Sequence, residues 1–296
     1  MIELTDLTGE KMSIIKTARM NYHAGLRSDI YVANNGVASN ADKDSKPSKA
    51  IGQHLAAILG VGGGARLAPQ TVGARFEQHT MEYLRATFLQ LGHLRPGDWD
   101  VHCVKSRSGL PIAKFDQYQH LADLEDVARK NPSIRSVLGP DYTIASDIVI
   151  ARRAEDDASI NAGIVVVESQ FATRSSLRTG RRTKPTLPSL HACISCKWTM
   201  RSDRAQNSRA EALRLIRSRK GRTPHIVVVT AEPLPSRLAS IALGTGDIDC
   251  VYHIALPELM RSVKRFGESE ALSIMSLMIK GRRLKDISDL PLDLAI

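Results

Sequence analysis

The chain has 296 residues, 43% apolar and 24% charged, the usage of a folded protein large enough to bury its own core. A mean hydropathy of −0.17 leaves no room for membrane spans, and 4 cysteines are too few for a disulfide scaffold. The start MIELTDLTGEKMSII has neither a basic-plus-apolar leader nor a cleavage pattern, so the expected compartment is a reducing cytoplasm.

Net charge is +10, and it is concentrated: Arg174 to Arg222 holds fourteen Lys and Arg against Asp203 and Glu211, so this segment carries +12 and the rest −2. A local basic patch of this size points to a polyanionic partner, nucleic acid first.

In chain order, the polar run SNADKDSKPSK (39–49) reads as a loop or mobile arm. KAIGQHLAAILG is helical and ends at a glycine, followed by the Gly-rich connection VGGGARLAP. In TVGARFEQHTMEYLRATFLQLGHL, Phe76, Tyr83, Leu84, Phe88 and Leu91 recur at helical spacing and predict a long amphipathic helix. RPGDWDVHCV predicts a turn and a short strand, and FDQYQHLADLEDVARK a helix ending before Asn131 and Pro132. Apolar strands are expected at TIASDIVIAR, GIVVVES (163–169), HACISCKW, PHIVVVTAE and DIDCVYHI, with helices SDRAQNSRAEALRLIRSRK and SRLASIALG between the last three. Continuous apolar strands with helical crossovers predict an α/β fold, a mixed central β-sheet flanked by helices.

The chemistry centres on CISCKW. Residues two apart on a strand share a face, so Ser195 and Lys197 point one way and Cys196 the other. A lysine within an apolar strand is expensive to bury without carboxylate partners. Asp147, opening DIVIA, and Glu211, on the helix after Lys197, are candidates, and together they could hold Mg²⁺ beside a water; an ordinary buried salt bridge is the plain alternative. Directly after the lysine, WTMRSDRAQN offers Thr199 or Ser202 as a helix cap, with Arg201, Asp203 and Arg204 crowding the first turn. Arg pairs with guanine and Asp with cytosine in a major groove. Arg204 and Glu211, seven apart, share a face at roughly 10 Å. A capped, salt-bridged surface helix would account for RSDR alone.

Other signals are weaker. Cys193 and Cys196 form C-x2-C, but no second pair follows and a three-residue offset on a strand sends them to opposite faces, against zinc. GVGGGA follows a helix and lacks the Walker Gly-Lys-Ser/Thr. His79, His120 and His191 and the two tryptophans, Trp99 and Trp198, read as packing residues. The run Arg178 to Lys184 reads as a mobile phosphate-contacting loop or a solvated one.

K-x3-RSDR, with an Asp fifty residues before the Lys and a Glu fourteen after it, resembles the PD-(D/E)XK restriction endonucleases of the branch that reads CCGG cores, in which the second acid of the site has moved onto the helix and Ser195 stands at its strand position. The run from ISCKWTMRSDR to DIDCVYH, the tail GRRLKDISDLPLDLAI, and VASNAD, RPGDWDV and DYTI carry the likeness, from about Tyr31 onwards. One departure is Ser146 where a proline normally precedes the Asp.

The resemblance implies a type II enzyme, one endonuclease domain over 1–296 with an N-terminal arm or loop over about 1–50. It implies catalytic roles for Glu77, Asp147, Ser195, Lys197 and Glu211. Two Mg²⁺ would be held by Asp147 and the Cys196 carbonyl, with Glu77 and Glu211 acting through water; Lys197 would orient and help deprotonate the attacking water. Arg201, Asp203 and Arg204 match readers of the CCGG core, Gln70 a minor-groove contact, and Asp42 and Arg237 readers of an outer G·C pair. The implied target is GCCGGC in double-stranded DNA, cut after the first G, and the implied assembly a homo-oligomer, a dimer at least and by the likeness a tetramer on two DNA copies, with no membrane partner. A DNA-binding module without catalysis, or a structure-selective repair nuclease, are the alternatives.

Overall fold

The computed structural model describes residues 12–104, 110–123, 143–144, 146–179, 186–200 and 202–296, and only the backbone of 110–111, 143–144 and 202–205. Six strands build the central sheet: β1 (Trp99–Cys103), β2 (Ile148–Arg152), β3 (Ser189–Lys197), β4 (His225–Thr230), β5 (Cys250–His253) and β6 (Leu284–Asp286). Their spatial order is β6-β5-β4-β3-β2-β1. The pairs β1/β2 and β2/β3 are antiparallel, and β3/β4, β4/β5 and β5/β6 parallel. From Leu190 to Cys196 every residue of β3 is buried, as expected when helices cover both faces of a sheet. The expected mixed sheet flanked by helices is therefore the observed one. A bulge interrupts the β2/β3 ladder: Ile150 and Ala151 pair with Ala192 and Leu190, so His191 has no partner and its ring packs against Phe88 and Trp99 instead.

The helices are α1 (Ile14–Asp29), α2 (Lys46–Ile58), α3 (Pro69–Thr87), α4 (Ser202–Ser218), α5 (Pro235–Ala242), α6 (Leu256–Phe266) and α7 (Ser269–Lys280). α3 is the amphipathic helix expected, with Phe76, Tyr83 and Leu84 buried. It stops at Thr87, and Phe88 to Gln90 tighten into a 3-10 turn. α2 begins earlier than the periodicity suggests because Ser45 caps it, accepting the Ser48 N–H at 3.3 Å, with Pro47 in its first turn. Of the helix expected after Phe115, the part from 124 onward lies outside the described residues; Asp116–Tyr118 form a single 3-10 turn.

Two expectations need correction. The N-terminal arm over about 1–50 is not an arm from Ile14 on: α1 buries Ala18, Tyr22 and Leu26 at helical spacing and lies against α3. Gly25 permits that approach, since a Cβ there would meet His79 Nδ1 at 2.9 Å. The strand expected at GIVVVES is a loop, with Ile164 and Val165 each 74% exposed. Asn161 closes it, its Oδ1 accepting the N–H groups of Val166 and Val167 at 2.9 and 3.0 Å. A β-branched run becomes a strand only where a sheet edge receives it, and here a local side-chain turn takes its backbone bonds. Among the described residues, no helix is long and apolar enough to cross a membrane.

Candidate active site

The ladder sets the site. Ile148 faces Ile194 across the antiparallel β2/β3 pair, so Asp147 falls one step beyond, on the face that carries Ser195 and Lys197. Lys197 Nζ donates to Asp147 Oδ2 at 2.9 Å, and the same oxygen accepts the Cys196 N–H at 2.6 Å. The strand end is held by Thr230 Oγ1, which donates to the Lys197 carbonyl at 2.7 Å. Trp198 packs edge-on against both Tyr31 and Phe76, which makes it the packing residue expected.

Two more carboxylates share the field of this pair. Glu77, from α3, is pushed up to about 7 by burial and by the Asp147 charge, with Lys197 pulling the other way. Glu211, from α4, is also raised, by burial first and then by Asp147, against Lys197 and Arg214. Burial works against the Lys197 ammonium, yet the charge and hydrogen bond of Asp147, with Glu211 behind them, leave its pKa above the ordinary value. Lys197 thus donates to Asp147 while its charge acts on Glu77 and Glu211 as well, the marks of a functional cluster more than of a simple buried pair. Ser195 is buried on the same strand.

The cluster fits a hard divalent cation. Its donors are oxygens, and Glu211 Oε2 is buried with no hydrogen-bond partner among the described residues. Among the described residues, no group of three or more His, Cys, Asp or Glu side chains is placed to hold a metal ion, so a cation here would rest on fewer carboxylates and on water. Mg²⁺ accepts that arrangement, since it keeps several waters and binds through one or two carboxylates.

The recognition candidates are divided. The backbone of α4 starts at Ser202, which makes Ser202 its first residue and not the cap expected, and puts Asp203 and Arg204 in its first turn; their side chains, and Arg201 altogether, lie outside the described residues. Gln70 is exposed in the first turn of α3. Asp42 and Arg237, 195 residues apart, form an ion pair. Both line a cavity of about 370 Å³ whose wall also includes Lys197, Trp198 and Thr199, so the outer-pair candidates and Lys197 open on one cleft. Lys43 and Arg66 line it too; as lone cations in mixed sequence they carried no signal.

The expectation for Arg178 needs correction. It is buried and grips Asp157 with two bonds, at 2.5 and 2.6 Å, so it braces its own loop and is not free for phosphate; 180–185 lie outside the described residues. Cys193 and Cys196 are buried free thiols, their pKa values raised by burial.

A family model for the NgoMIV restriction enzyme matches residues 22–296. The chain is 50% identical over 273 residues to the type II restriction enzyme NgoMIV of Neisseria gonorrhoeae, covering 92% of this chain and 94% of that one. Among solved structures, a restriction endonuclease PspGI–substrate DNA complex aligns over 95% of this chain and 90% of its own, at 15% identity and a TM-score of 0.25, a superposition too loose to build on. With identity and coverage of that order on a chain whose Lys197 pairs with Asp147, this protein belongs to the NgoMIV restriction enzyme family and is a type II restriction endonuclease.

Proposed function

We propose that the chain, as one endonuclease domain, hydrolyses double-stranded DNA at GCCGGC, cutting after the first G to leave 5′ CCGG overhangs. The observation that carries this is the 2.9 Å contact between Lys197 and Asp147, inside a group of three acids and on the cleft that holds Asp42 and Arg237. Asp147 and the Cys196 carbonyl would hold Mg²⁺, two ions per site, with Glu77 and Glu211 acting through water. Bound there, the cations supply charge that stabilises the attacking and leaving oxygens.

The chain's own residues do the rest. Lys197, held as an ammonium, donates to the attacking water and to a non-bridging phosphate oxygen, orienting the one and offsetting charge on the other. Asp147 aims that ammonium. Ser195 fills the strand position whose acid is replaced by Glu211 from α4. The water oxygen bonds to phosphorus in line with the departing O3′ and gives up its proton to solvent, the P–O3′ bond breaks, and O3′ takes a proton from solvent, leaving a 3′-hydroxyl and a 5′-phosphate. Arg201, Asp203 and Arg204 read the core, Gln70 the minor groove, and Asp42 with Arg237 the outer pair. A palindromic target calls for two-fold related subunits, hence at least a dimer, and we take the assembly to be a tetramer engaging two DNA copies.

The test uses plasmids with and without GCCGGC, in Mg²⁺ or EDTA. Discrete fragments only with both site and metal support the proposal. Binding without cleavage would favour a recognition module, and nicking regardless of sequence a repair nuclease. Arg204→Ala should weaken discrimination of the core by about 1–3 kcal/mol, measured by competition between matched and mismatched duplexes. An equal loss on all sequences would make Arg204 a phosphate contact.

A further inference from the structure

Two residues beyond β4, Glu232 is fully buried. Its Oε2 accepts the Met200 N–H at 2.8 Å and its Oε1 the Leu234 N–H at 3.1 Å. Arg237 Nη1 stands 3.8 Å from Oε2, while Nη2 of the same guanidinium pairs with Asp42. The Glu232 N–H donates to Thr230 Oγ1 at 3.1 Å, the hydroxyl that holds the Lys197 carbonyl. Asn40 Nδ2 donates to the Ala231 carbonyl at 2.7 Å and draws the loop of Asp42 to the same point.

One buried carboxylate therefore joins three segments. Met200 lies two residues before α4, Leu234 is the N-cap of the helix bearing Arg237, and Thr230 backs the strand of Lys197. A buried charge demands a counter-charge, and the one placed here is Arg237, a side chain that must also face DNA if it reads a base. Hydrogen-bonded to Asp42 and facing the buried charge of Glu232, the guanidinium fork is drawn to a defined orientation.

We propose that Glu232 is a positioning residue for base selection, setting the fork of Arg237 and, through Met200, the approach of the chain to α4. This rests on the reading of Arg237 as an outer-pair contact. Burial pushes Glu232 up to about 7 against the pull of its two backbone donors and Arg237, and Asp42 adds to the rise. Its protonation near neutrality removes the charge that attracts Arg237 from the side opposite Asp42.

The test is the ratio of cleavage rates on GCCGGC and on ACCGGT, in which only the outer pairs differ, using the full-length protein. Glu232→Gln should lower this ratio about 10-fold, and Glu232→Asp, which keeps the charge, should restore part of it. In the wild type the ratio should fall as pH is lowered from about 8 to about 6, and in Glu232→Gln it should stay flat; titration of Glu77 cancels between the two duplexes. A ratio unchanged within about 2-fold in a folded Glu232→Gln protein, or equal slowing on both duplexes, overturns the proposal. Should that variant fail to fold, the wild-type profile decides, and a flat one overturns it. If the wild type shows no preference for GCCGGC, the reading of the target falls separately; the ratio is then scored between the sequence it does cut and that sequence with its outermost pair exchanged.

Discussion

Lys197→Ala is expected to lower the rate of cleavage at the cognate site by at least about 10²- to 10⁴-fold, the range spanned by one well-placed proton-transfer or orienting group. Specific binding should survive, because the recognition candidates Arg201, Asp203, Arg204, Asp42 and Arg237 are other side chains on other segments. The structure gives the reason for so large an effect. Lys197 hydrogen-bonds Asp147 and its charge acts on Glu77 and Glu211, so its removal takes the nearby positive charge from these acids and, on the proposed mechanism, the donor from the attacking water. Asp147→Asn should be equally inactive, since the amide keeps the contact to the Cys196 N–H in shape only and cannot hold the ammonium. Cleavage assays paired with binding of matched and mismatched duplexes check both variants. If a folded Lys197→Ala protein lost specific binding together with cleavage, Lys197 would be a structural strut and the active-site assignment would fail.

The second large effect concerns the fold. Arg19, on α1, holds Glu258 at 2.7 Å and Asp286 through two bonds of 2.9 Å. Burial pushes both carboxyls up, but Arg19's hydrogen bonds and charge outweigh it and leave each below its ordinary range. Arg19→Ala would strand two mostly buried acids, and breaking a buried pair by removing one partner costs about 3–5 kcal/mol. Urea unfolding should show that loss as a lower midpoint with an unchanged slope. Arg19→Lys should recover only part, since an ammonium cannot span two carboxylates as a fork does. The sign with pH follows from the depressed carboxyls: their contribution is complete above about pH 5 and disappears as pH falls below about 4. A change under about 0.5 kcal/mol would mean that α1 is held by its apolar face alone.

Lys197 shows how much of the site was legible beforehand. A lysine inside an apolar strand must find acids, and the residue opening the strand two segments earlier proved to be its partner at 2.9 Å. Glu232 obeys the same rule, an acid at the end of the apolar run HIVVVTAE, yet its partners Met200, Leu234 and Arg237 do not announce themselves, because two of them are backbone groups. α1 escaped notice because Ile14 and Met20 are exposed on it, which blurs its stripe, and because its strongest tie is ionic and reaches Asp286, 267 residues away.

By itself, the sequence determined the strands and helices whose pattern is local, the position of the basic patch, and the family to which the chain belongs. Periodicity, caps and side-chain chemistry act over a few residues, so they survive in a linear reading. The tertiary structure alone decided that Glu232 joins Met200, Leu234 and Arg237, that Asp42 pairs with Arg237, that Ile164 to Val166 find no sheet edge, and that Arg178 is occupied by Asp157. Each of these depends on chain segments brought together by burial of a shared core, and a carboxylate is assigned its charge, partner and pKa only after that burial has set what surrounds it.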